Sequence, residues 1–211
     1  MILRLRKVLE GDSFFGEFLI PKVLIDSAHK LFIPFFIFSL IVNICVIVFF
    51  LFNTANGLLF TSSSSESVTF LEFWLFDFIP TILFPICVGT IVHEFGHYVG
   101  FCSYNIESKM FVGILRGETR CSDEKSKRLK TWQKMNITMM GCLSNFVFTL
   151  LIIPIYLLLP SLGIVNNIVF NLGIVSLLLG TFNLMPLSDD IDGKRLFEYW
   201  GEIKFSFDSD F

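Results

Sequence analysis

Residues 78–102 read FIPTILFPICVGTIVHEFGHYVGFC, an apolar run interrupted by two histidines and a glutamate. At about 1.5 Å of helix rise per residue, such a run is long enough to cross about 30 Å of hydrocarbon. His93 and His97 are four apart, so a helix places both imidazoles on one face, within reach of a single Zn²⁺. Glu94, next to the first of them, is placed to hold a water. Ionisable residues at membrane depth are costly unless they face a partner or a cavity, so the trio reads as a functional site rather than as packing. The pattern points to metal-assisted hydrolysis inside a bilayer.

The remaining chain has the same character. Hydrophobic residues make up 54% of 211 and phenylalanine alone supplies 27. Charged residues fall to 17% against about 25% in soluble domains, and the mean hydropathy is +0.71. The apolar residues gather into four blocks, near 31–52, 78–102, 137–159 and 164–187, each close to the ~20 residues of one crossing. The expected fold is an all-α membrane protein, a bundle of about four transmembrane helices embedded in lipid.

The cations set the expected orientation. All 16 Lys and Arg lie before the first block, between the second and third, or after the fourth, and segments 53–77 and 160–163 contain none. The positive-inside rule therefore places both termini and the central loop in the cytoplasm. Acidic and basic residues share these loops, giving a net charge of −3 without a basic stripe, and no nucleic-acid partner is implied. The first long apolar run starts near residue 31 and can remain as a span, so no cleavable signal peptide is expected. Residues 13–25, rich in phenylalanine, are suited to the cytoplasmic interface.

The five cysteines form no CxxC pair and suggest no disulfide framework. In the central loop, Met110-Phe111-Val112-Gly113-Ile114-Leu115 followed by Arg116-Gly117 reads as a strand and turn, predicting a small cytoplasmic-side β-hairpin. The expected organisation is an interfacial segment at 1–30, a first transmembrane helix and external loop at 31–77, a core with three transmembrane helices at 78–200, and a cytoplasmic tail at 201–211.

A catalytic zinc needs a third protein ligand and an open fourth position. The end of the fourth block offers one in Phe182-Asn183-Leu184-Met185-Pro186-Leu187-Ser188-Asp189-Asp190-Ile191-Asp192-Gly193, where three carboxylates follow a helix-breaking proline. Given the charge-derived orientation, the second and fourth blocks both end inside, so this segment and the histidine pair reach a similar depth.

These motifs together resemble the site-2 protease family of intramembrane zinc metalloproteases. The resemblance rests on His93-Glu94-Phe95-Gly96-His97, on Asn183-Leu184-Met185-Pro186 leading to Asp192-Gly193, and on Gly141-Cys142-Leu143-Ser144-Asn145, similar to the family's Gly-Pro-x-x-Asn with cysteine in place of proline. It covers roughly residues 78–200. It implies one catalytic Zn²⁺ held by His93, His97 and Asp192, Glu94 as catalytic base, and Asn145 and Asn183 as polar groups beside the active site. The stretch from Asn183 to the ligand is one residue longer than is usual in the family; strict counting lands on Ile191, which cannot bind metal, so Asp192 is preferred for its Asp-Gly pair, with Asp190 as the runner-up.

The expected substrate is a transmembrane protein or peptide, cut within or near its membrane segment. A helix cannot be cut while its carbonyls are tied into its own hydrogen bonds, so the substrate must unwind. Val112, Gly113 and Ile114 are the expected partners of that extended form, by strand addition. Two other readings come from different classes. One is a non-proteolytic zinc-bound protein that holds membrane clients. The other is an ion transporter, for which polar residues at matching depths in several spans are expected. A chain this short, with few accessory parts, suits a prokaryotic plasma membrane.

Overall fold

The computed structural model describes residues 2–4, 19–21, 27–55, 73–113, 117–159, 164–188 and 191–208. Near the N-terminus, short strands β1 (Ile2–Arg4) and β2 (Leu19–Pro21) pair antiparallel; residues 5–18 and 22–26 of the segment expected at the interface lie outside the described residues. A 3-10 turn at Ala28–Leu31 leads into α1 (Phe32–Ala55). A wide-turned helical stretch, Phe73–Leu83, contains Pro80 and runs on into α2 (Phe84–Ser103). Strands β3 (Ser108–Val112) and β4 (Gly117–Cys121) follow, then a short α3 (Asp123–Lys127), α4 (Thr131–Leu158), α5 (Ile164–Phe182) and α6 (Asp192–Asp208).

Four of these helices are long and apolar enough to cross a membrane, covering Ala28–Cys45, Phe78–Ser103, Thr131–Leu158 and Val165–Phe182. The expected all-α bundle with a small hairpin is the observed one. Its boundaries differ from the hydropathy blocks in two places. The third helix starts at Thr131 rather than near 137, because Met135 is buried in the core and Asn136 is bonded to His29 and Tyr104, so the start of the helix packs on protein rather than on lipid. The fourth ends at Phe182 rather than 187, and Asn183 to Met185 fold into a tight turn before Pro186, with Leu184 N–H donating to Thr181 and Met185 N–H to Phe182. Beyond it, α6 runs to Asp208, so the segment assigned to a tail continues a helix that begins at Asp192.

Helix α4 is the hub, packing on α2, α5 and α6, while α1 leans on α5. The buried core collects at the end of the bundle where α1, α4 and α6 begin and α5 stops, with Phe32, Met135, Met139, Cys142, Phe146, Leu184 and Leu196 in contact. Aromatic rings close it. Phe197 meets Phe32 at 5.2 Å and Phe36 at 4.9 Å edge-on, and Phe35 stacks on Phe146 at 5.0 Å. Each such pair contributes about 0.5–1.5 kcal/mol beyond area burial. These contacts anchor α6, an amphipathic helix that could not cross a bilayer, against the spanning helices. Polar clamps act at the same end: Asn136 Oδ1 accepts from the His29 backbone N–H at 2.6 Å, and Asn136 Nδ2 donates to the Tyr104 hydroxyl at 2.9 Å. By contrast Leu150, Leu151, Leu157 and Leu158, near the far end of α4, lie exposed as lipid contact requires. The five cysteines are all free.

Candidate metal centre

In α2 the four-residue spacing stacks the His93 and His97 rings edge to face with centroids 4.7 Å apart. Their Nε2 atoms lie 3.1 Å from one another, and each lies 2.9 Å from Asp192 Oδ2. Three donor atoms from two helices thus converge on one point. Tetrahedral zinc, with ligands at about 2.0–2.1 Å, would hold such atoms about 3.3 Å apart, so the set fits a metal ion with small outward adjustment. His93, Glu94 and His97 form one buried group able to hold a metal, and His93, Cys142 and Asp192 form another, the ligand atoms of each lying within 4.8 Å. The Cys142 thiol, where the resemblance would have proline, therefore borders the same centre.

Each candidate ligand is oriented by a neighbour. His97 Nδ1 lies 3.0 Å from the Ile137 carbonyl and donates to it, leaving the Nε2 lone pair free to coordinate. His93 Nδ1 lies 3.3 Å from Nδ2 of the fully buried Asn145 amide, and Ser176 Oγ donates to Asn145 Oδ1 at 3.1 Å. Coordination through Nε2 puts a hydrogen on Nδ1, so the amide must then present its oxygen to His93 and its nitrogen to Ser176. Asn145 is thereby tied to a ligand ring, and Ser176 is the support that the sequence did not single out.

Asp192 arrives through α6. It is the first residue of that helix, where its charge complements the helix dipole. The next residue makes the approach possible. A Cβ on Gly193 would overlap the Met185 carbonyl and collide with the Leu184 carbonyl carbon, so α6 can start this close to the preceding turn only with glycine there. This is the physical content of the Asp-Gly pair. Burial alone would push the Asp192 carboxyl up, but the His97 and His93 imidazoles hold it well below the usual carboxylate range. Asp190 lies outside the described residues.

Glu94 is buried beside His93, at 7% and 6% exposure. A cavity of about 670 Å³ opens over both, lined by α2, β4, α4 and the start of α6, with Asn183, Thr138 and Arg195 in its wall. Strands β3 and β4 pair antiparallel, Val112 opposite Gly117 and Met110 opposite Thr119, and both pack on α2. The structure divides the hairpin unevenly. Gly117, Glu118 and Thr119 of β4 line the cavity, whereas Val112 ends β3 with 42% exposure and neither it nor Gly113 is in the wall. Ile114 lies outside the described residues. Thr119, whose hydroxyl sits 2.8 Å from Glu94 Oε2, was not anticipated. Its alternation with Gly117 on one strand face was the available signal.

The fold and site together define a membrane-helix bundle with a buried His-Glu-His-Asp centre able to hold a metal ion. Comparison with family models, curated proteins and solved structures finds no match.

Proposed function

We propose that the chain is an intramembrane zinc metalloprotease of the site-2 protease type, hydrolysing peptide bonds within or near transmembrane segments. The observation that carries this reading is the convergence of His93 Nε2, His97 Nε2 and Asp192 Oδ2 within 3.1 Å, with Glu94 alongside at the base of a cavity. Two imidazoles and one carboxylate are a hydrolytic zinc donor set.

His93, His97 and Asp192 would hold the metal. Zinc, when bound there, supplies a Lewis acid that polarises a carbonyl oxygen and acidifies water. Glu94 takes a proton from the attacking water and delivers it to the departing amide nitrogen, which must leave as an amine. Asn183 and Thr138 in the cavity wall offer hydrogen bonds to the peptide, and the hairpin offers an edge to an unwound chain. The cationic loops put the site on the cytoplasmic side, with both termini.

The test replaces Glu94 by Gln, which keeps the ligands and removes the base. Membrane and soluble proteomes with mapped protein termini are compared between cells carrying either form at equal abundance. Accumulation of uncut membrane proteins in the variant, with zinc bound in both, supports proteolysis and names the substrates. Identical termini in both would favour a zinc-bound protein that holds membrane clients without cutting them.

A further inference from the structure

Among the described residues, Glu94 is the one member of the centre whose hold comes from outside the helix bundle. Thr119 Oγ lies 2.8 Å from Glu94 Oε2 and 3.0 Å from the Glu94 backbone carbonyl. A hydroxyl has one hydrogen, and a carboxylate acting as general base is the stronger acceptor of the two, so the hydrogen goes to Oε2. Two residues earlier on the same strand face, Gly117 lies so close that a Cβ would overlap Glu94 Cγ and stand 3.0 Å from Cδ and 2.9 Å from Thr90 Cγ2. The inner face of β4 is therefore moulded to the Glu94 side chain, glycine against its stem and threonine against its head.

We propose that Thr119 is a positioning residue for the reaction, fixing one Glu94 oxygen so that the other is presented to the water. This rests on the protease reading. A glutamate has three rotatable bonds, and a free carboxylate above an open cavity would sample several rotamers, only some of which reach the reacting atoms. With Oε2 tied to the strand and Cγ blocked by Gly117, the carboxylate keeps one orientation. The base is thus correctly set only while the hairpin is docked on α2, which joins the element offered to the substrate with the group that performs the proton transfer.

The experiment uses the full zinc-loaded chain in detergent, with fluorescein-labelled casein as probe because that chain is already extended and needs no unwinding. Thr119→Val removes the hydroxyl at nearly constant shape, Thr119→Ser keeps it, and Glu94→Gln is the inactive reference. The expected result for Thr119→Val is a kcat lower by about tenfold to a hundredfold, the scale of a misplaced catalytic group. KM and zinc content stay as in the wild type, and Thr119→Ser recovers most of the loss. In infrared difference spectra, the carboxylate band that Glu94→Gln removes shifts in Thr119→Val and returns in Thr119→Ser. An unchanged kcat in Thr119→Val, with Glu94→Gln inactive, overturns the role of Thr119 alone; so does a rise in KM at unchanged kcat. If the zinc-loaded wild type leaves casein intact and membrane-protein termini are identical in cells carrying wild type or Glu94→Gln, the protease reading falls and the catalytic role with it, and an unmoved band in Thr119→Val removes the hydrogen bond too.

Discussion

Gly141 of α4 lies directly against the edge of the His97 ring, where a Cβ would overlap Nε2 and Cε1 and stand 2.9 Å from His93 Cε1. Nothing larger than hydrogen fits between this helix and the two ligands. Gly141→Ala is expected to push the imidazoles off their shared point and weaken zinc binding by about tenfold or more, the scale of a disturbed ligand shell. The helices have most of their packing elsewhere and should persist. Competition with a chelator measures the first effect and circular dichroism the second; wild-type affinity in the alanine variant would show that α4 can retreat.

Asn145 offers a second measurable support. Its amide lies between His93 Nδ1 and Ser176 Oγ, at 3.3 and 3.1 Å, and all three residues are buried. Asn145→Ala removes the acceptor for the imidazole hydrogen and should weaken zinc binding by about tenfold to a hundredfold. Asn145→Asp keeps an acceptor and should retain more affinity than alanine. Ser176→Ala, one bond further from the metal, should give the smallest loss. The order of the three affinities is the test, and equal values would reduce Asn145 to a packing role.

The third ligand separates two neighbouring carboxylates. Asp192 Oδ2 is within 2.9 Å of both imidazole Nε2 atoms. Asp192→Ala is expected to abolish stoichiometric zinc, and Asp190→Ala to leave it intact. Gly193→Ala should mimic a weaker form of the Asp192 defect, because the added carbon overlaps the Met185 carbonyl and displaces the start of α6. Zinc lost in Asp190→Ala and retained in Asp192→Ala would reverse the assignment.

The parts of this site that were legible in the sequence are those written in short periods. Two histidines four apart declare a shared helix face, and an apolar run of span length declares its surroundings. Asp192 was selected from three candidate carboxylates by the glycine beside it, and the reason lies in contact with Met185 that only the fold displays. The start of α4 lies outside the apolar block because hydropathy cannot distinguish polar residues facing lipid from polar residues facing protein; Asn136, fully buried between His29 and Tyr104, is of the second kind. Thr119 and Ser176 were invisible for a related reason. A lone hydroxyl is informative only through what it touches, and their partners are 25 and 31 residues away in sequence. The hairpin was anticipated, but which of its strands faces the base depends on how it folds back on α2.

That uneven hairpin gives a prediction able to separate its two duties. Val112 pairs with Gly117 at one end of the ladder and is 42% exposed, on the strand that does not line the cavity. If an unwound substrate adds to the hairpin at β3, proline at 112 withdraws an N–H and fixes φ at the place where the two chains would pair. Val112→Pro should then bind zinc as the wild type does, yet cleave casein only at much higher concentration, with KM raised about tenfold or more and kcat largely kept. At ordinary substrate levels cleavage would be lost. The opposite pattern, a fall in kcat at constant KM, would mean that the proline had loosened Thr119 from Glu94 rather than removed an edge for the substrate, and strand addition at β3 would be abandoned.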